Sequence, residues 1–515
     1  MNGCSNPPSA FGTSIRLLHE ASEVNRLEPP RTFTRLLHAL WMSREDLRTR
    51  FDITEAQGQD RFLSWFDDAA LSEYGVPPQF ATTARTGQFD RFFALKSRAL
   101  PLIERATAIF PRKIRRKIRK VALRVCNALS VEAHDTPSSG AHASDVSTPL
   151  LGANLIGYAQ GVLGMGEHVR MTAHAMTGTT VPFGVFNFTL GVKRRQTKRT
   201  QKQAYLKSNK FGINVFHINA DQMLPAYFEL GPRFFERRYN VGYWAWELSK
   251  WPPAWRPVTD CMDEIWAPSS FIQQCISAAT NVPVVLMPLC VELPVFSNRP
   301  RAFFDIPSDS FTFLVTFDFL SFVERKNPRA AIRAFRLAFA KGTEPVTLVI
   351  KIMNLDRHDV RWQLIAEEIA QDSRIRIISS TLERDDMLAL LACCDAYVSL
   401  HRSEGFGRGP AEAMLMGKPT IVTGYSGNVD FTLPDNSCLV DYRLVNVEPG
   451  DYVISENQQW AEPDVDHAAW HMRRLVADAG FSAELGRRAQ KFIQTNYSAA
   501  VIGANYERRL TKLSQ

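Results

Sequence analysis

From Leu150 to the C-terminus, short runs of β-branched and aromatic residues alternate with longer stretches whose apolar positions recur at helical spacing. The runs 213–218, 240–245, 282–289, 311–317, 346–352, 375–378, 396–400 and 420–423 predict strands. Strands separated by helix-length segments predict parallel sheets flanked by helices. Two such sheets fit in this length, and Pro294, Pro300 and Pro307 interrupt the pattern, placing a join near Glu292 to Arg301. The predicted class is α/β: two Rossmann-like domains over 150–295 and 296–515, facing a cleft, with C-terminal helices crossing back toward the first.

The chain before this region has a different pattern. Apolar clusters at Phe33 to Trp41 and Arg61 to Phe66 predict a helical accessory domain over 1–110, its large side chains in a core. Within 111–149, Ile114, Ile118, Val121, Val125 and Leu129 recur at helical spacing among Arg112, Lys113, Arg115, Arg116, Lys117, Arg119, Lys120 and Arg124. This predicts a basic amphipathic helix. It either lies on an anionic membrane surface or packs, solvated, on a neighbouring domain. Val131 to Pro149, rich in Ser, Ala, His, Pro and Gly, reads as a linker.

Composition narrows the class without naming it. The 515 residues are 45% hydrophobic and 22% charged, as in a folded globular protein of more than one domain. A formal net charge of +8 points to an anionic partner, but no nucleic-acid motif accompanies it, so nucleic acid is not the expected partner. The 8 cysteines lack metal-like spacing and predict reduced, buried thiols with no metal. No apolar run reaches bilayer-spanning length and the first residues lack the apolar region of a signal peptide. The expected location is cytoplasmic, peripheral on the inner face of the membrane if the basic helix docks there.

The chemistry concentrates at Ser403-Glu404-Gly405-Phe406-Gly407-Arg408-Gly409-Pro410-Ala411-Glu412, which reads as strand end, glycine loop and helix start. Gly405, Gly407 and Gly409 allow a close backbone approach, and free amides at the helix start, beside Pro410, suit a phosphate. Glu404 and Glu412 offer acceptors for sugar or ribose hydroxyls. Donors for phosphate and acceptors for hydroxyls thus lie within a few residues of one another.

These residues resemble the E-x7-E element of the retaining glycosyltransferases of family 4, and the likeness runs upstream through Leu388 to Ala396 and downstream through Gly417-Lys418-Pro419 to Thr423. The resemblance implies a GT-B fold and a metal-independent transferase that needs no cofactor beyond its nucleotide-sugar cosubstrate. It implies that Glu404 contacts the donor sugar, that Glu412 holds the ribose, and that the backbone from Phe406 to Gly409, Arg408 included, meets the diphosphate. Arg325 and Lys326, where a strand gives way to a helix, stand at the family's basic pair, although Ser321 occupies the place of a frequent arginine. Gly164 and Gly166 lie in the first loop of the N-terminal domain, which in similar enzymes faces donor and acceptor, with Glu167 beside them.

Where many relatives carry a histidine near the reacting carbon, this sequence has Asn219, with Asp221 as a competing polar contact and His217 turned inward. Glu247 ends the next strand as an acceptor-side candidate, and its aromatic neighbours either stack on sugars or pack in the core. Lys193, Arg194 and Arg195 form an electropositive loop suited to a polyprenyl-diphosphate-linked acceptor, a glycan being the other class the resemblance implies, as in lipopolysaccharide or exopolysaccharide assembly. A GT-B epimerase and a noncatalytic membrane- or nucleic-acid-associated protein are the competing readings.

Overall fold

The computed structural model describes residues 14–29, 31–77, 80, 86–107, 110–131, 150–161, 163–189 and 205–515. Most of the linker, from 132 onward, and the basic loop with Lys193, Arg194 and Arg195 lie outside the described residues.

The first sheet comprises β1 (Leu150–Gly157), β2 (Phe183–Asn187), β3 (Phe211–His217), β4 (Tyr239–Tyr243), β5 (Glu264–Ala267) and β6 (Val284–Leu286). Its order is β2-β1-β3-β4-β5-β6, parallel throughout. The second sheet comprises β7 (Phe311–Asp318), β8 (Val346–Met353), β9 (Ile375–Ile378), β10 (Ala396–Ser399), β11 (Thr420–Thr423) and β12 (Cys438–Val440). Its order is β12-β11-β10-β7-β8-β9, also parallel. A hairpin of β13 (Tyr442–Asn446) and β14 (Gln459–Pro463) follows. Helices cover both faces of each sheet, so strands such as β8, Val-Thr-Leu-Val-Ile-Lys-Ile-Met, are apolar almost without alternation and buried along nearly their whole length.

Among the described residues, five α-helices precede the first sheet: α1 (Arg35–Ser43), α2 (Glu45–Arg50), α3 (Ala56–Ala69), α4 (Thr86–Ala106) and α5 (Arg112–Val131). The first domain adds α6 (Gly164–Met176), α7 (Ala220–Leu230), α8 (Arg256–Thr259) and α9 (Ser270–Ser277). The second adds α10 (Val323–Lys326), α11 (Pro328–Ala338), α12 (Val360–Ala370), α13 (Arg384–Cys393), α14 (Arg408–Leu415), α15 (Val465–Ala477), α16 (Ala479–Asn496) and α17 (Ala499–Leu513). Local chemistry sets many of these starts. Asn327 caps α11 by accepting from the Ala330 N–H while Pro328 fills the first turn, and Asp464 caps α15 through the His467 N–H.

The N-terminal helices share one apolar cluster with the first Rossmann-like domain, in which Leu36, Phe62 and Phe80 join Met223, Tyr227 and Phe228 of α7. His19 Nε2 lies 2.8 Å from the Tyr227 hydroxyl, and the buried Lys96 ammonium donates to the Phe228 carbonyl at 2.9 Å. At the other end of the chain, α17 crosses back onto α6. Tyr506 stacks on Trp266 at 5.8 Å, and its hydroxyl lies 3.1 Å from that of Tyr243.

Strand order positions the site. In the first sheet the connections leave β1 and β3 toward opposite sides, and in the second they do so at β7 and β10. Loops diverging at such a switch point leave a crevice beyond the carboxyl ends of the strands, where ligands bind in open α/β sheets.

Candidate functional site

The loops after β7 and β10 bring Arg325, Lys326 and Glu404 together. The chain turns sharply after β7, with Phe322 at φ 63°, into the single turn of α10. Arg325 Nη1 donates to the Ser403 carbonyl at 2.8 Å and lies 3.3 Å from Glu404 Oε2, while Nη2 donates to the Ser321 carbonyl at 3.2 Å. The Lys326 ammonium donates to Glu404 Oε1. Arg325 is buried as a strut behind Glu404, whereas Lys326 retains access to the cleft.

Glu404 is held along its backbone as well. Its N–H donates to the Ser426 hydroxyl at 2.8 Å, and its carbonyl accepts from the Gly427 N–H at 2.9 Å. Burial pushes its carboxyl up, but Lys326 and Arg325 outweigh this and bring it down to about 2, so it is an anion at every ordinary pH. Burial lowers the Lys326 ammonium, with Glu404 opposing.

A second network surrounds the start of α14. Arg384, opening α13, forms a bidentate pair with Glu412 at 2.6 and 2.9 Å. Arg408 lies 3.4 Å from Glu412 and 3.5 Å from Glu167 of the other domain, and Glu167 pairs with Arg170 at 2.6 Å. Burial raises the Glu167 carboxyl, but Arg408, Arg170 and Arg384 bring it to about 2. Across both networks five cations, Arg170, Arg325, Lys326, Arg384 and Arg408, face three carboxylates, Glu167, Glu404 and Glu412. The excess of positive charge suits a diphosphate.

The glycines divide by role. Gly407 adopts φ 95° to turn the chain into α14, a conformation other residues rarely take. Gly409 and Gly166 answer to packing. A Cβ at Gly409 would stand 2.2 Å from the Tyr397 hydroxyl, and one at Gly166 2.2 Å from the Gly161 carbonyl oxygen, whereas Gly164 faces open space. Phe406 turns away from the cleft onto Phe431 and Tyr497, leaving only its backbone toward a ligand. Gly405 lies against the first domain, its carbonyl accepting from the Ser269 hydroxyl at 2.7 Å.

On the facing side, Asn219 caps the approach to α7 and its Oδ1 accepts from the Ala245 N–H at 3.0 Å, tying the loops after β3 and β4 together. Asp221 is exposed one residue into α7, where the surrounding protein and then Glu247 shift its carboxyl upward. His217 is buried edge-on to His168, ring centroids 4.8 Å apart, and burial lowers it to about 3. The Glu247 carboxylate accepts from the Tyr452 hydroxyl and its carbonyl from the Ser403 hydroxyl, so it bridges the two domains. Its aromatic neighbours are core residues: Trp244 stacks on Trp251 at 5.8 Å and Trp246 packs on Trp255 at 4.7 Å. Arg384, Ser426 and Tyr452 are site neighbours that no motif in the sequence marks. Arg384 alone left a signal, a cation opening the helix after the loop at Thr381-Leu382.

Residues 317–440, which contain both networks' C-terminal members, match the family described as "Glycosyl transferases group 1". No curated protein matches the chain by sequence. Among solved structures, sucrose-phosphate synthase of Thermosynechococcus elongatus superposes with a TM-score of 0.51 at 13% identity, covering 70% of this chain and 99% of that one. Alr3699/HepE of Anabaena, solved in complex with UDP and glucose, gives a TM-score of 0.51 at 14% identity, with 70% and 99% covered. The fold is GT-B, carrying a helical N-terminal region.

Proposed function

We propose that this chain transfers a sugar from a nucleoside-diphosphate sugar to an acceptor hydroxyl, with retention of configuration and without a metal. The observation that carries the reading is the convergence of Glu404 with Arg325 and Lys326 at the switch point of the second sheet, opposite the cationic network at the start of α14. The match of that segment to group 1 glycosyltransferases supports it. That HepE, of the same fold, was solved with UDP and glucose makes UDP and UDP-sugars the first ligands to try.

In this mechanism the diphosphate lies between the amides at the start of α14 and the Lys326 ammonium. The bond from the anomeric carbon to the phosphate oxygen breaks as a bond from the acceptor oxygen forms on the same face, and the acceptor proton passes to the departing diphosphate. Lys326, positioned by Glu404 and Arg325, offsets the charge that builds on the leaving group. Glu404 is ionised and accepts from the donor sugar's hydroxyls, and Glu412, oriented by Arg384, accepts from the ribose. Asn219, Asp221 and Glu247 line the acceptor approach. The acceptor is a glycan or a polyprenyl-diphosphate-linked sugar of cell-surface polysaccharide synthesis.

Glu404→Gln keeps the shape and removes the charge. It is expected to lower turnover of a nucleotide-sugar donor at least about a hundredfold. Turnover within a few-fold of the wild type would defeat the assignment.

A further inference from the structure

The helix α5 carries two apolar stripes, and among the described residues only one of them is packed. Leu123 and Cys126 are buried against α4, where they cluster with Phe92 and Leu100. Ile114, Val121, Val125 and Leu129 point elsewhere and are 44%, 58%, 50% and 45% exposed. At 100° per residue these four, with the half-buried Ile118, fall within one narrow arc, and Lys117, Lys120 and Arg124 run along its open flank. Phe110, just before the helix, and Leu102, on α4 near the same turn, are exposed as well. A merely solvated helix face carries polar residues where this one carries aliphatic ones.

Charge identifies the occupant. The helix sequence Arg-Lys-Ile-Arg-Arg-Lys-Ile-Arg-Lys-Val-Ala-Leu-Arg-Val-Cys-Asn-Ala-Leu-Ser-Val contains no acidic residue. An aliphatic stripe bordered by cations complements the acyl boundary and phosphates of an anionic bilayer, on which such a helix lies flat. No helix among the described residues is long and apolar enough to cross a membrane, so contact through α5 would be interfacial.

The helix is also fixed to the acceptor-side domain. Arg119 lies 3.6 Å from Glu229 at the end of α7, and Lys96 of α4 lies 3.2 Å from the same carboxylate. We propose that the outer face of α5 is a docking surface for an anionic lipid bilayer and holds the acceptor-side domain against it.

Co-sedimentation of the full chain with vesicles tests this, comparing equal parts phosphatidylcholine and phosphatidylglycerol with phosphatidylcholine alone. The wild type is expected to pellet with the anionic vesicles, progressively less as salt is added, and to stay largely in solution with the neutral ones. Val121→Asp with Val125→Asp, and separately Lys117→Glu with Arg124→Glu, are expected to lower the partition coefficient by at least about tenfold. Because these positions are exposed, the thermal midpoint should not move, and the charge-reversal pair keeps the test valid should the aspartates perturb the helix. Wild type left in solution with anionic vesicles would overturn the proposal. So would variants that pellet like the wild type, or a wild-type dimer that both variant pairs turn into monomer, since that face would then belong to a protein. The measurement uses no sugar donor, so its result is independent of the proposed transfer.

Discussion

Glu412 and Arg384 show how a single residue's role depends on its partner. On the proposed function Glu412 accepts from the ribose hydroxyls, and the bidentate Arg384 guanidinium, engaging both carboxylate oxygens, fixes its orientation. Replacing either residue by alanine is expected to weaken donor binding by about tenfold, and the double replacement to cost little more, a coupling of ~1 kcal/mol or above in a double-mutant cycle. Additive losses by calorimetry would show that the two bind independently. At this scale Glu404, Lys326 and Glu412 were legible, because carboxylates flanking a glycine loop and a basic pair at a strand end are local patterns. Arg384 left no signal beyond its place at a helix start, since its partner lies 28 positions away and only the fold joins them. The glycines were legible as glycines but not in their reasons. Gly409 accommodates the Tyr397 hydroxyl, a contact that no spacing in the chain announces.

Among elements, β3, β4 and β6 to β11 were readable from their pattern alone, whereas β1, β2, β5 and β12 were not. β5 is four residues with a glutamate at its head. Glu264 is buried there because Arg509, arriving on α17, pairs with it and Trp266 Nε1 donates to it at 2.6 Å. Such a strand is made possible by a helix more than 200 positions later, which local periodicity does not reveal. The same crossing gives α17 a measurable share of stability. Tyr506 is fully buried and stacked on Trp266, so Tyr506→Ala is expected to cost about 3–5 kcal/mol in denaturant unfolding. A loss below about 1 kcal/mol would mean that α17 is not integral to the first domain. The hairpin of β13 and β14 gave no usable signal, yet it carries the loop from which Tyr452 reaches Glu247.

Across the whole molecule, two parallel sheets facing a cleft followed from the alternation of strand and helix patterns. The relation of the N-terminal helices to them did not, because the apolar cluster shared by Phe62, Phe80 and Tyr227 exists only after folding. Buried ionisable groups also make stability depend on pH. Burial lowers His217 to about 3, and His168 falls well below its ordinary value, so the unfolded chain takes up protons that the folded chain refuses. Stability is therefore full above the ordinary histidine range near 6.5 and declines as pH falls toward 3. Glu404 and Glu167, each held at about 2 rather than 4.5, add a further loss between those values. The thermal midpoint is expected to be level from about pH 7 to 8 and to fall steadily below about pH 6. A midpoint unchanged down to about pH 4 would contradict this account of the buried histidines.

On the proposed function, the cleft at the carboxyl ends of β7 and β10 binds a nucleoside diphosphate through Lys326 and the start of α14. Titrating the protein with UDP and other nucleoside diphosphates while following the thermal midpoint measures this binding. At least one is expected to raise the wild-type midpoint by several degrees, and Lys326→Met, which removes a charge at the cleft, to weaken that ligand by about tenfold. No shift with any nucleoside diphosphate or nucleotide sugar, or an equal shift in Lys326→Met, would contradict it.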